Sequence, residues 1–178
     1  MLSIVISGPE ASGKSTLSNQ LADAFNGLAI PEYARDYVSR LNRKYTFSDV
    51  ETIARRQIFI YKKLQNRYRE NNLPVFFDTF LIITKIWFQD VFGCCPVWLH
   101  EEILQTKPDL VLLCSPDLEW NDDGVRENGT RRDYFYNCYA ESLEYYKIPW
   151  FKVYGQGNDR KDLAIKIVNS FLTKPQIK

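Results

Sequence analysis

Near the amino terminus stands Gly8-Pro-Glu-Ala-Ser-Gly13-Lys14-Ser15, and no other stretch narrows the fold so far. Its glycines let the backbone turn sharply and bring N–H groups against an anion with no Cβ in the way. A loop of this kind belongs between a buried strand and the start of a helix, whose N-terminal N–H groups add to the anion site. Both flanks are present. Leu2 to Ser7 is a short Ile/Val-rich run stopped by Gly-Pro, and Leu17, Leu21 and Phe25 then recur on one helical face that ends at Gly27. The pattern predicts a nucleotide's phosphate chain held by Gly8, Glu10, Ala11, Ser12, Gly13, Lys14, Ser15 and Thr16. Lys14 is placed to reach the β- and γ-phosphates, and Ser15 to bind Mg²⁺ through its hydroxyl.

The rest of the chain alternates strand and helix patterns. Leu28 to Glu32, Leu73 to Asp78, Asp109 to Ser115 and Ile148 to Tyr154 read as four further strands. Between them lie a long amphipathic helix carrying Val50, Ile53, Ala54, Gln57, Tyr61, Leu64 and Tyr68, and an almost wholly apolar one from Phe80 to Phe92. Ser48 and Glu51 have capping-box spacing for the first of these. A short helix from Trp98 to Gln105, one with Phe135, Tyr139, Leu143 and Tyr146, and a last one with Leu163, Ile167, Val168, Phe171 and Leu172, stopping before Pro175, complete the pattern. Strands separated by helices imply an α/β fold: a five-stranded, mainly parallel sheet with helices on both faces, in three layers. With no linker, repeat or low-complexity tract, residues 1–178 are expected to form a single domain.

Composition excludes several classes. Of 178 residues, 45% are hydrophobic and 25% charged, with a net charge of +1, so bulk electrostatics give no reason to expect nucleic acid. The chain opens "MLSIVIS", without a basic segment before the apolar run, and no run approaches the ~20 apolar residues of a membrane helix. Cys94, Cys95, Cys114 and Cys138 have no C-x-x-C spacing and read as free thiols of a cytoplasmic protein. His100, alone in a polar helix, is expected at the surface.

Three polar groupings outside the loop carry chemistry. Glu32 follows the second strand in "PEYARDY", at the strand ends that face the ligand in such sheets. A carboxylate there can take the proton of an attacking hydroxyl, with Arg35 and Asp36 beside it to hold the acceptor; it also stands where a cap for the next helix would. Asp78 ends the third strand, where a second carboxylate serves either the Mg²⁺ shell or the acceptor hydroxyl, and where an N-cap would also fit. Trp120 to Arg132 is a long polar stretch holding Asp122, Asp123, Arg126, Arg131 and Arg132, and it reads as a lid whose arginines cover a transferred phosphoryl group. A solvated loop with surface ion pairs is the plain alternative. Trp87 and Trp120 offer faces for a flat, cationic ring, although core packing suits Trp87 equally well.

A GTPase would need a guanine-reading N/T-K-x-D after a strand; "TKPD" (Thr106 to Asp109) precedes one. An AAA-type motor would need a longer core and a helical lid domain. A small-molecule kinase needs a phosphate loop, two carboxylates and an arginine lid in about this length, and all are present in that order.

"GPEASGKSTL", "PEYARDYV", "YTFSDVETIARRQ", "FFDTFLIITKIWFQDVFG" and "PDLEWNDDGVRENGTRRDYF" together resemble the nicotinamide riboside kinase domain of bacterial NadR proteins, from Ile4 to about Val153. The resemblance implies a P-loop kinase fold that uses ATP and Mg²⁺ to phosphorylate the ribose 5′-hydroxyl of nicotinamide riboside. Gly8 to Thr16 would hold ATP and the metal, with Ser15 and Asp78 toward Mg²⁺. One of Glu32 and Asp78 would be the base. Tyr33, Arg35, Asp36, Trp87, Trp120 and Asp123 would face the acceptor, and Arg126, Arg131 and Arg132 the phosphates. NadR proteins carry an adenylyltransferase domain ahead of the kinase, and often a DNA-binding segment; these residues contain neither, so adenylyl transfer and repression are not carried over. Met1 directly before the first strand reads as the start of a stand-alone domain. A kinase for another nucleoside, and an ATP-binding regulatory module acting through a protein partner, are the rival readings.

Overall fold

The computed structural model describes residues 1–120 and 129–173. Five strands, β1 (Leu2–Ser7), β2 (Leu28–Ile30), β3 (Pro74–Asp78), β4 (Leu110–Cys114) and β5 (Trp150–Val153), form one sheet in the order β2-β3-β1-β4-β5. Every pairing is parallel. All six residues of β1 are buried, as a strand covered on both faces requires. Its neighbours in register place Ile6 beside Asp78 and Ser7 beside Leu113, so β1, β3 and β4 end level with one another.

Seven α-helices are described: α1 (Lys14–Ala24), α2 (Tyr33–Ser39), α3 (Phe47–Arg67), α4 (Leu81–Phe92), α5 (Val97–Gln105), α6 (Arg132–Tyr145) and α7 (Gly157–Thr173). Alternation along the strands sends side chains to two cores. Ile4, Ile6, Phe76, Leu110, Leu112 and Val153 pack with Leu17 and Leu21 of α1 and Ala164 and Val168 of α7. Val5, Val75, Phe77, Val111 and Leu113 pack with α3, α4, α5 and α6 through Val50, Ala54, Tyr61, Phe88, Leu99 and Leu143. The expected three layers are thus present. No helix among the described residues is long and apolar enough to cross a membrane.

Several local expectations change. Helix α3 begins two residues earlier than Ser48 implies: Thr46 is the N-cap, and its box partner is Asp49. Starting there turns Phe47 inward against Phe88 and Phe92, 4.8 and 5.3 Å between ring centroids. Helix α2 is additional to the sequence pattern; it is only seven residues long and has no buried residue. His100 is half-buried, its Nδ1 bonded to the Tyr146 hydroxyl. Lys85 lies 8% exposed inside α4, donating to Gln89 Oε1 at 2.8 Å and Ser142 Oγ at 3.4 Å, and burial lowers its pKa.

Asp49 also takes two bonds from Arg43, at 2.6 and 3.0 Å, and one from Tyr37 at 2.9 Å. Hydrogen bonds from Arg43 first, and then from Thr46, hold its carboxyl far below the usual carboxylate range. A depressed folded-state pKa gives stability that is present above the unfolded value, about 3.9, and is lost as pH falls below it. Asp49→Asn is therefore expected to lower the melting temperature at pH 7 and to shrink the acid-side loss, read from thermal melts between pH 7 and pH 3.

Candidate active site

The phosphate loop leaves β1 at Ser7 and enters α1 at Lys14. Gly8 has φ 142°, and a Cβ there would lie 2.6 Å from the Cys114 carbonyl oxygen, so the loop passes β4 at a distance only glycine allows. Gly13, at φ 75°, is the N-cap of α1. Ser12 Oγ and Lys14 Nζ both donate to the Pro9 carbonyl, at 2.7 and 2.9 Å.

A cleft of about 630 Å³ opens over this loop, a size suited to a small-molecule ligand. Gly8, Glu10 to Thr16 and Glu32 line the cleft, with Arg35 and Val38 of α2. Tyr45, Gln57, Thr84, Trp87, Asp90, Arg131, Phe135 and Tyr139 line it as well. Trp87 and Tyr45 meet edge to face with ring centroids 4.8 Å apart, forming an aromatic wall. Thr84 Oγ1 donates to Gln57 Oε1 at 2.9 Å.

Glu32 stands at the N-cap position of α2, but its side chain caps nothing and lines the cleft. Burial raises its pKa; Lys14 pulls it back, and Asp78 raises it further. Asp78 is outside the cleft lining, 4% exposed, and does not cap α4, whose N-cap is Phe80. Burial raises the Asp78 pKa too, opposed by a hydrogen bond from Ser15 and by the charges of Lys14 and Arg35. Its Oδ1 is buried without a hydrogen-bond partner. A bare carboxylate oxygen next to the Ser15 hydroxyl is a donor set that fits Mg²⁺. Thr79, at φ 68°, follows Asp78 and donates its N–H to Ile6 O at 3.0 Å. A β-branched residue in that region is strained, as backbone at functional sites often is.

Other expected residues fall elsewhere. Asp36 points to solvent and pairs with Arg40 at 2.6 Å, four residues on along α2, because the helix turns it away from Arg35. Tyr33 packs beside Tyr37, 6.0 Å between centroids, outside the cleft lining. Trp120 is not in the lining either; its ring lies over Gly129. Arg131 lines the cleft, forked onto Asp90, with its guanidinium 4.8 Å from the Tyr134 and Phe135 rings. Arg132 donates to Leu118 O at 2.8 Å and Ala11 O at 3.3 Å, touching the phosphate loop from outside. Asp123 and Arg126 lie outside the described residues. Sequence reasoning gave no role to Tyr45, Gln57, Thr84 or Asp90. Gln57 carried one signal, a polar residue on the apolar stripe of α3; Tyr45, Thr84 and Asp90 stood only as members of the stretches that carry the family resemblance.

The central strand of a five-stranded parallel sheet, running through a glycine-bounded phosphate loop into a helix, with two carboxylates at neighbouring strand ends, defines a P-loop protein of the nucleotide-binding α/β class. The chain belongs, more particularly, to the family described as an AAA domain, which matches residues 3–160. Chain length had argued against an AAA-type motor; the family carries the AAA name, and its match spans most of the chain. The chain is also homologous to the trifunctional NAD biosynthesis/regulator protein NadR of Escherichia coli (strain K12), with 31% identity over 176 residues, covering 95% of this chain and 42% of the relative. It thus spans less than half the length of that relative. Among solved structures, a NadR protein in complex with NR aligns with TM-score 0.75 and 23% identity over 97% of this chain and 52% of that one. Thymidylate kinase from Ehrlichia chaffeensis aligns with TM-score 0.69 and 14% identity over 94% and 98%. Both are likenesses of fold.

Glu32 provides a direct check on the electrostatics. A carboxylate with a raised folded-state pKa contributes stability below the unfolded value, about 4.3, which is lost as pH rises through the folded one. Glu32→Gln should melt at a higher temperature than wild type at pH 7, and the difference should vanish at pH 4 and below.

Proposed function

We propose that the protein is a kinase that transfers the γ-phosphoryl group of ATP to the ribose 5′-hydroxyl of nicotinamide riboside. The observation that carries this reading is one cleft that joins the phosphate loop to the Trp87–Tyr45 wall, with Glu32 on its lining. A flat cationic pyridinium suits that wall electrostatically, since aromatic faces attract cations. The homology to NadR, and the similarity of fold to a NadR protein bound to NR, support the same acceptor.

In this reading the phosphate loop and Lys14 hold the triphosphate, and Ser15 and Asp78 would hold Mg²⁺. When bound, the metal would neutralise phosphate charge. Glu32, on the cleft lining, accepts the hydroxyl proton as oxygen attacks the γ-phosphorus and ADP departs; Asp78, hydrogen-bonded to Ser15 and outside the lining, takes the metal-side role. Burial brings Glu32 nearer to neutral pH, which strengthens it as a base. Arg131, on the cleft lining, exchanges Asp90 for phosphate oxygens. Residues 1–178 act as a single cytoplasmic domain.

A coupled ADP-release assay with ATP and Mg²⁺ tests this. Release should require nicotinamide riboside and be weak with ordinary nucleosides. Equal release without any acceptor would overturn it in favour of water or a protein partner. Trp87→Ala should raise KM for the riboside about tenfold or more while leaving KM for ATP nearly unchanged.

A further inference from the structure

Arg160, in the first turn of α7, is 4% exposed and lies 148 residues from the phosphate loop it touches. Its guanidinium donates in three directions. Nε reaches Gly155 O at 2.7 Å and Nη1 reaches Ser12 O at 2.8 Å. Nη2 reaches Ser115 O at 3.4 Å and the Asp117 carboxylate. The other oxygen of Asp117 accepts the Gly155 N–H at 2.8 Å. One planar fork therefore ties the loop after β1, the end of β4 and the β5–α7 turn together.

The contact with Ser12 has a directional consequence. In a trans peptide the C=O of one residue and the N–H of the next point opposite ways in one plane. Drawing the Ser12 carbonyl toward Arg160 aims the Gly13 N–H the other way, toward the cleft that Gly13 lines. Arg132 does the same one residue earlier, through Ala11 O. We infer that Arg160, clamped by Asp117, is a positioning residue that presets the phosphate loop for nucleotide binding. This inference rests on the loop being the ATP site. A lysine fits the position poorly, because a point ammonium cannot serve carbonyls on three sides in one plane.

The test is equilibrium binding of a non-hydrolysable imido analogue of ATP, with Mg²⁺, to the full chain. Wild type, Arg160→Lys, Asp117→Asn and Val168→Ala are compared, each with its melting temperature. Val168 is fully buried in α7 away from the loop and serves as a stability control. Arg160→Lys should weaken the analogue about tenfold or more, and Asp117→Asn should weaken it less but in the same direction. Val168→Ala should lose melting temperature and keep its affinity. Should Arg160→Lys not fold, Asp117→Asn carries the comparison. Affinity within about twofold of wild type in both folded loop-side variants overturns the inference. So does an affinity loss in Val168→Ala that follows the same line against melting temperature. Wild type failing to bind the analogue would instead remove the ATP-site reading on which the inference stands.

Discussion

A phosphate loop must turn N–H groups toward its ligand, and peptide geometry then turns carbonyls back into the protein. Each of those carbonyls needs a donor, because an unpaired buried one is costly. Here Pro9 O takes Ser12 Oγ and Lys14 Nζ, Ala11 O takes Arg132, Ser12 O takes Arg160, and Gly13 O takes the Leu17 N–H. Five donors thus serve four loop carbonyls, and they come from the loop itself, from α1, from α6 and from α7. The loop is not an isolated motif grafted onto a sheet. It is held by the helices of both layers.

The parallel sheet supplies the frame for that arrangement. With β1 between β3 and β4, and all three ending level, the loop, Asp78 and the Ser115–Asp117 segment share one edge. Glu32 arrives from β2, one strand further out. Two carboxylates converge near Lys14 and Arg35, and burial raises both of their pKa values against those cations. The two differ in access: Glu32 lines the cleft, and Asp78 is buried outside its lining, hydrogen-bonded to Ser15. That difference in access to the cleft is what distinguishes the proton acceptor from the metal-side carboxylate in the proposed reaction.

The stretch after β4 joins loop to α6. Leu118 O and Ala11 O share the Arg132 guanidinium, and Ser115, Asp117 and Ser12 share that of Arg160. Arg131 faces the cleft and rests on Asp90. The three arginines thus divide into two that brace the loop and one that borders the ligand space.

Much of this was legible in the chain itself. All five strands, the phosphate loop and the two carboxylates at strand ends follow from apolar runs broken by glycine and from residues at fixed spacing, because such signals are local. Local signals also misled. Ser48 and Glu51 have the right spacing, yet Thr46 and Asp49 form the cap, since the start of α3 is decided by where Phe47 meets Phe88 and Phe92. Asp36 and Arg35 are adjacent in sequence and part company on α2, one to solvent and one to the cleft. The Tyr45–Trp87 wall, the Gln57–Thr84 pair and the reach of Arg160 to Ser12 join residues 27 to 148 positions apart. The sequence by itself determined which chemistry the chain carries, because that depends on residue types at short spacing. Only the tertiary structure decided which residues share the cleft, because that depends on how helices far apart in the chain pack against the sheet.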